Sequence, residues 1–316
     1  MPLPAVIRLK DTLPLDRIAP GVSGLQTVMV NLFTLQGANS WVLVDTGMPM
    51  SANRILRWVS KLHGEGARPS CILLTHGHFD HVGAVENLAK RWNVPVYAHW
   101  MELPYLTGRS PYPPPDPTVG GGAFSLLSPL YSRGPIDLGD RVRALPPDGA
   151  VPGLAEWKWI HTPGHTAGHV SFYRASDRVL IAGDAIVTTK QESAMCVLTQ
   201  HLALHGPPAY FTSDWTAAEQ SVRTLARLEP QIIATGHGLP MSGKHVPEAL
   251  HQLAARFEQR VKPHQGRYVE RPAVTDDRGI VSLPAPVPYP KEPIILAGLA
   301  AMGTFYYLNR RRRSVV

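Results

Sequence analysis

Four residues of the types that bind metal ions stand within six consecutive positions of the chain: His76, His78, Asp80 and His81. Neutral imidazole and carboxylate groups suit zinc, and they also bind iron and manganese. At the end of a strand, alternate side chains point to one side, so His76 and His78 can share one ion. A turn into a following helix would let Asp80 and His81 face a second ion.

Three further candidate ligands each stand beside a glycine at the end of an expected strand. They are His165 in Thr-Pro-Gly-His-Thr, Asp184 in Ala-Gly-Asp, and His237 in Gly-His-Gly. Four ligands do not saturate two tetrahedral ions, so these residues are needed to complete the set. The adjacent glycines permit the tight turns and close backbone approach that a crowded site requires. The sequence thus offers seven ligands for two ions, expected to be zinc, with iron or manganese as alternatives.

The order of these motifs resembles that of the metallo-β-lactamase superfamily: His-x-His-x-Asp-His, Pro-Gly-His-Thr-x-Gly-His, Gly-Asp and Gly-His-Gly. The Val-Asp-Thr-Gly at residues 44–47 is similar to that superfamily's first Asp motif, and the whole match covers residues 28–244. The resemblance implies an α/β fold, an αββα sandwich with the metal ions in a cleft at the strand ends.

The resemblance also divides the seven ligands between two ions. One set would be His76, His78 and His165, the other Asp80, His81 and His237, with Asp184 bridging both. Asp45 would orient the ligand loop, although Asp is also a common turn residue. His169 begins a strand and is not expected to be a ligand.

The implied chemistry is hydrolysis. A metal ion lowers the pKa of bound water to about 7, which supplies a nucleophile at neutral pH. We expect a metal-bridging hydroxide to attack the ester, thioester or lactone carbonyl of a small-molecule substrate. Asp80 would accept or shuttle the proton, so that no nucleophilic Ser or Cys is required.

Departures from related patterns narrow the class of substrate. Class B β-lactamases commonly carry Cys where Asp184 stands, so hydrolysis of antibiotics is not expected. Flavodiiron proteins carry Glu where His78 stands, so the chain does not match their pattern. Glyoxalase II-like thioesterases and quorum-quenching lactonases remain, although the sequence after His237 departs from the former and no Tyr directly follows Asp184 as it often does in the latter. Two alternatives are a mononuclear iron persulfide dioxygenase of the same fold and a non-catalytic relative; the complete ligand set argues against the second.

Hydrophobic patterns predict the elements that position these residues. Strands are expected at residues 28–35, 41–44, 71–74, 96–98, 157–160, 170–173, 179–181 and 232–234, and helices at 51–62 and 83–92. Another helix is expected to begin near Thr216 with a capping box closed by Glu219. Residues 104–135 are rich in Pro and Gly, which predicts either a lid or binding loop or a surface insertion. Residues 188–190 either line the pocket or form an ordinary loop.

Composition bounds the rest of the chain. Two cysteines exclude a disulfide framework, and most of the net charge of +7 comes from four arginines at 310–313, so no nucleic-acid partner is expected. We predict a catalytic domain at residues 1–282, a Pro-rich linker at 283–293, and an apolar segment with an Arg-rich tail at 294–316. The N-terminus does not resemble a signal peptide, which predicts a cytoplasmic protein. The short apolar segment and its arginines predict contact with a membrane surface.

Overall fold

Two six-stranded sheets form the frame of the protein in the computed structural model, which describes residues 11–289. The first sheet follows the chain order: β1 (Val22–Thr27), β2 (Val30–Gln36), β3 (Trp41–Val44), β4 (Ile72–Leu73), β5 (Val96–Ala98) and β6 (Val142–Ala144). Its first three strands are antiparallel, and β3 to β6 are parallel.

The second sheet contains the next six strands, again in chain order. These are β7 (Ala150–Val151), β8 (Leu154–His161), β9 (Val170–Arg174), β10 (Val179–Ile181), β11 (Ile232–Ala234) and β12 (Met241–Ser242). Its strands are antiparallel except for the parallel pair β10 and β11. A separate hairpin of β13 (Val274–Asp276) and β14 (Gly279–Ser282), which the sequence patterns had not predicted, follows near the end of the described chain.

Eight α-helices accompany the strands. They are α1 (Ala52–His63), α2 (Val85–Trp92), α3 (Leu103–Leu106), α4 (Ala123–Leu127), α5 (Ala194–Thr199), α6 (Trp215–Ala226), α7 (Val246–Ala255) and α8 (Phe257–Arg260) among residues 11–289. No helix in that range is both long and apolar enough to span a bilayer.

Alternation along the strands separates three apolar cores. Val44 of β3 points between the sheets, where Phe172 of β9 and Ile181 of β10 also lie. Leu43 points the other way, against α1 and α2, and Leu180 points outward against α6 and α7. Because successive strand side chains face opposite sides of a sheet, this pattern makes each sheet buried on both faces. The layers are helix, sheet, sheet and helix, which confirms the predicted α/β sandwich.

Strand direction brings the candidate ligands to one end of this sandwich. Strands β3, β4 and β5 are parallel, so their carboxyl ends share an edge. Strands β8 and β10 are both antiparallel to β9, and β10 is parallel to β11, so these three also end together. The chain leaves β4, β8, β10 and β11 directly into the segments that carry the seven candidate ligands.

Two sequence predictions are corrected at element ends. The strand predicted at residues 28–35 begins at Val30, because Val28 and Met29 form the turn of the β1–β2 hairpin and Val28 has a φ of 63°. Helix α6 is capped by Asp214 and not by Thr216: the Asp214 side chain accepts from the Ala217 N–H at 2.9 Å. Glu219 therefore closes no capping box, and it pairs with Arg223 one turn later.

The tail predictions fall outside the described residues. Tyr289 is the last residue that the structure describes, so residues 290–293 of the predicted linker and the segment at 294–316 lie outside it. Membrane contact, cytoplasmic location and the domain boundary at residue 282 stay predictions from the sequence.

The inter-sheet core gives a first test. Phe172 is fully buried between the sheets, so Phe172→Ala should lower the free energy of unfolding by about 3–5 kcal/mol, through lost burial and the cavity left behind. The measurement is urea unfolding followed by circular dichroism. Leu198→Ala, at a largely exposed position, is the control and should change stability by less than about 0.5 kcal/mol. Equal midpoints for the two variants would contradict this account of the core.

Candidate metal centre

Asp45 fixes the loop that follows β4. One carboxylate oxygen accepts from the Thr75 N–H at 2.8 Å, and the other accepts from the Thr75 hydroxyl at 2.8 Å. The second oxygen also lies 2.8 Å from Nδ1 of His81. Asp45 is itself buried and has a φ of 61°, a conformation in which Asp is more common than most residues. The residue therefore orients both ends of the His76–His81 loop, as the resemblance implied, and is more than a turn residue.

The seven candidate ligands converge into overlapping groups. In each group the potential ligand atoms lie within 4.8 Å of one another: His76 with His78 and His165, Asp80 with His81 and His237, and His76 with His81 and Asp184. His169 belongs to none of these groups.

Asp184 lies between the two outer groups. Its Oδ1 is 3.6 Å from Nε2 of His81, while its Oδ2 is 3.6 Å from Nε2 of His165 and 3.1 Å from Nε2 of His237. Asp80 approaches the same region from the other side, with Oδ2 3.5 Å from Nε2 of His237. One carboxylate thus faces ligands of both groups.

Unsatisfied atoms show that the cluster fits metal ions. Nε2 of His76, Nε2 of His81 and Oδ1 of Asp184 are buried without a hydrogen-bond partner. A buried polar atom without a partner costs about 1–3 kcal/mol, and these three are lone-pair donors that converge on one space. Protein side chains do not supply the missing contacts, whereas cations coordinated by imidazole and carboxylate would.

Electrostatics favour the ligating protonation states for most of the set. Burial lowers the pKa of His76 and His78, and neighbouring histidines lower it further. Burial also lowers the pKa of His165, to about 4. Burial alone would raise the pKa of Asp184, but His237 and His81 outweigh it and hold that carboxyl well below its usual range.

His81 and His237 differ because carboxylates surround them. Burial alone would lower their pKa values, but Asp184 and other acidic neighbours outweigh it and raise both. In the absence of a cation these two imidazoles would carry the positive charge that balances the carboxylates. A metal ion would replace those protons, since a ligating imidazole must be neutral.

His237 is oriented from the first sheet. Its Nδ1 lies 2.9 Å from the Met29 carbonyl, in the turn of the β1–β2 hairpin. Asn31 of β2 then donates through its side chain to the carbonyls of Thr235 and Gly238, at 3.0 and 2.7 Å. The β1–β2 hairpin, whose turn the strand prediction at residues 28–35 did not include, is therefore what directs Nε2 of His237 toward Asp184.

Gly236 is required by close approach. A Cβ at this position would lie 2.0 Å from Oδ1 of Asp184 and 2.8 Å from His81, which no side chain could tolerate. On the other side of this loop, the Thr188 hydroxyl contacts the Thr235 hydroxyl and the His237 carbonyl, at 3.1 and 3.2 Å. Thr188 is fully buried and supports the loop of His237.

His169 acts on Asp184 from behind. Its Nε2 accepts from the Asp184 N–H at 2.9 Å, and its Nδ1 lies 2.8 Å from the Thr162 hydroxyl. Both ring nitrogens are therefore occupied, and burial keeps its pKa well below the usual range. This agrees with the expectation that His169 is not a ligand and assigns it a positioning role that the sequence did not suggest.

Glu102 is the main residue that sequence reasoning missed. It is fully buried and accepts four hydrogen bonds. One oxygen accepts from the Gly77 N–H at 2.9 Å and from the Tyr112 hydroxyl; the other accepts from the Thr166 hydroxyl at 2.6 Å and the Gly168 N–H at 3.0 Å. The carboxylate thus ties the loop of His76 and His78 to the loop of His165. No local motif marks it, because its four donors come from three separate segments.

Residues 104–135 contact the site and are more than a surface insertion. Tyr112 donates to Glu102, and its ring centroid lies 4.6 Å from that of His78. The Tyr131 ring lies 5.8 Å from that of Phe79, the residue before Asp80, and burial, followed by the Asp80 carboxylate, raises the pKa of Tyr131 to about 12. His201 and His205, by contrast, belong to no metal-binding group among the described residues.

Comparisons with known proteins agree with this geometry. The family model described as metallo-beta-lactamase superfamily matches residues 25–237. The chain is 49% identical to the probable metallo-hydrolase YflN of Bacillus subtilis over 242 residues, which cover 76% of this chain and 92% of that protein. It is 28% identical to the probable metallo-hydrolase YybB of the same organism over 211 residues, 67% of this chain and 81% of that one.

A solved structure shows the same fold. The metallo-beta-lactamase of Cronobacter sakazakii with a HARLDQ motif superposes with a TM-score of 0.54 at 19% identity, and the match covers 79% of this chain and 95% of that one. At this level of identity the likeness concerns the fold alone.

The role of Asp45 can be tested through metal affinity. In Asp45→Asn, either amide orientation turns an NH₂ group toward a donor, so the loop carrying His76–His81 loses a restraint. Zinc affinity, measured by competition with a chelator, should fall by about 10–100-fold, as for other partners that orient ligands. Asp140→Asn, at an exposed position, is the control. Unchanged affinity in Asp45→Asn would refute the orienting role.

Glu102 predicts a loss of stability. In Glu102→Gln one carboxylate oxygen becomes an NH₂ group. If it faces Gly168, that N–H loses its acceptor; if it faces Gly77, that N–H keeps the Tyr112 hydroxyl as acceptor, but the Tyr112 hydroxyl proton loses its own acceptor. One buried donor is then unsatisfied in either orientation, which should lower the free energy of unfolding by about 1–3 kcal/mol in denaturant titration. Glu156→Gln on the exposed side of β8 should have almost no effect. A stability loss shared by both variants would rule out this explanation.

Proposed function

This chain belongs to the metallo-beta-lactamase superfamily, and from that membership and the arrangement of its ligands we propose that it is a dinuclear metal-dependent hydrolase of acyl esters, thioesters or lactones. The observation that carries the proposal is the position of Asp184 between two groups of ligands, with one oxygen toward His81 and the other toward His165 and His237. A carboxylate so placed can serve two ions at once.

The donor set supports zinc as the metal, with iron or manganese as alternatives, because it contains imidazole and carboxylate groups and no thiolate. His76, His78 and His165 would hold one ion, and Asp80, His81 and His237 the other. When bound, such ions lower the pKa of water to about 7 and polarise a carbonyl oxygen. The net reaction adds water across the acyl C–O or C–S bond: an ester or thioester gives an acid and an alcohol or thiol, and a lactone opens to one hydroxy acid.

Asp80 is the residue we propose for proton transfer. It is the most exposed of the seven candidate ligands, whereas the others are almost completely enclosed. A carboxylate on the open side of the cluster can accept a proton from the attacking water and return it to the leaving group. The six enclosed residues would instead hold the ions. Asp45, His169 and the Met29 carbonyl fix His81, Asp184 and His237 from outside the cluster. Glu102 fixes the loop of His76 and His78 through the Gly77 N–H.

Metal content and turnover test the proposal together. The full-length protein loaded with zinc should contain about two equivalents of metal per chain, and should hydrolyse an acyl lactone or a glutathione thioester. His165→Ala removes a ligand of one group and should lower both metal content and kcat/KM, the latter by more than about 100-fold. His264→Ala, at an exposed position, is the matched control.

The two alternatives give different results when the protein is analysed as purified, before zinc loading. A persulfide dioxygenase would contain one equivalent of iron, take up oxygen with a glutathione persulfide and hydrolyse neither substrate. That result would contradict the proposal. Metal binding without either activity would indicate a non-catalytic relative. A preference for the lactone or for the thioester would place the protein with the lactonase-like or the glyoxalase II-like branch.

A further inference from the structure

The exposure of the ligands shows from which side a substrate reaches them. The side chains of His81, His165, His237 and Asp184 are 0–3% exposed, while that of Asp80 is 14% exposed. The open side of the cluster is therefore the side of Asp80. The residues around Asp80 are those that a substrate must pass and contact.

Aromatic side chains from three separate segments line this side. Phe79 precedes Asp80 and is partly exposed; its ring centroid lies 5.8 Å from that of Tyr131. Phe211 stacks on His78 with a centroid distance of 4.3 Å and lies 6.0 Å from Tyr131. Tyr210 is 5.1 Å from Phe211 and 5.8 Å from Tyr131. We call Phe79, Tyr131, Tyr210 and Phe211 the aromatic wall.

Hydrogen bonds between separate segments of the chain hold the aromatic wall in place. Asp116 donates its N–H to the Tyr210 carbonyl at 2.8 Å. Phe124 donates to the Glu192 carbonyl at 3.1 Å, and the Glu192 carboxylate accepts from the Ala209 N–H at 2.7 Å. The segment at 104–135 is thus fastened to the segments at 190–193 and 208–211. A wall fixed in this way binds a ligand without a large ordering cost.

We propose that the aromatic wall binds the apolar acyl part of the substrate and that Tyr131 is the residue that sets the preference for longer acyl chains. The inference rests on the proposed hydrolase function and narrows its substrate class to lipophilic acyl esters and lactones. Within the wall Tyr210 and Phe211 are buried, so the partly exposed rings of Phe79 and Tyr131 form its accessible surface, on which each added methylene is removed from water. Tyr131 is partly exposed, so its ring borders both the wall and the entrance.

Burial of a methylene is worth about 0.8 kcal/mol, and less where the group stays partly wet. The preference should therefore appear as an increase in kcat/KM of about two- to fourfold for each added methylene. The increase should stop when the chain extends past the wall into solvent.

Chain length provides the test. We would measure kcat/KM of the zinc-loaded full-length protein on p-nitrophenyl butyrate, hexanoate and octanoate, together with Tyr131→Ala, Tyr131→Phe and Tyr289→Ala. The wild type should prefer octanoate over butyrate. Tyr131→Ala should reduce the octanoate-to-butyrate ratio by at least about fourfold, because the ring that the chain contacts is gone. Tyr131→Phe keeps the ring and Tyr289→Ala lies outside the wall, so both should retain the ratio.

A binding measurement separates this inference from the proposed function. Calorimetry with the carboxylates butyrate, hexanoate and octanoate needs no turnover. If no ester, lactone or thioester is hydrolysed but affinity rises with chain length in the wild type and not in Tyr131→Ala, the aromatic wall is supported and the hydrolase proposal fails. If turnover occurs but neither kcat/KM nor affinity depends on chain length, or if Tyr131→Ala retains the dependence, the inference is overturned.

Discussion

Seven potentially charged side chains share one small space at the end of the sandwich, and six of them are almost inaccessible to water. Removing imidazole and carboxylate groups from water is costly unless each is paired or bound to a metal. On the outer side of the cluster, several of these residues each have a fixed hydrogen-bond partner of their own. Asp45 serves His81, the Met29 carbonyl serves His237, and His169 serves the backbone of Asp184. On the inner side, Nε2 of His76, Nε2 of His81 and Oδ1 of Asp184 lack hydrogen-bond partners.

The fold makes this convergence possible because the directions of the strands determine which strand ends lie at the same edge of a sheet. Each ligand segment follows a strand whose carboxyl end lies at the same edge of its sheet. The apolar core between the sheets then holds the two edges together, so Asp184 from one sheet can approach His81 from the other at 3.6 Å. Where so many candidate ligands face one another, a bound cation would stabilise this end of the protein, since a site formed on folding converts binding free energy into folding free energy.

Local sequence predicted which residues converge in the cluster, because metal chemistry restricts residue type and spacing within a few positions. Local sequence did not identify residues whose role depends on partners far away in the chain. Glu102 receives its donors from Gly77, Tyr112 and the segment 166–168, and no pattern around Glu102 records those partners. The turn at Val28 lacked the Gly or Asn that marks a two-residue hairpin, so the strand was extended through it. Asp214 was passed over as a cap because Thr216 and Glu219 offered an equally plausible local pattern.

The segment at 104–135 has two separable relations to the cluster. Tyr112 is buried and joins the frame of hydrogen bonds around Gly77 and Glu102, so its hydroxyl acts on ligand geometry. Tyr131 contacts the rings of Phe79, which precedes Asp80, and of Phe211, so in the proposed aromatic wall its ring meets the approaching substrate. Residues that share no partner contribute nearly independently to free energy. Substitutions at the outer residues of this Pro- and Gly-rich segment would therefore leave the hydrogen bonds of Tyr112 intact, and under the proposed function they would alter substrate preference without altering the reaction.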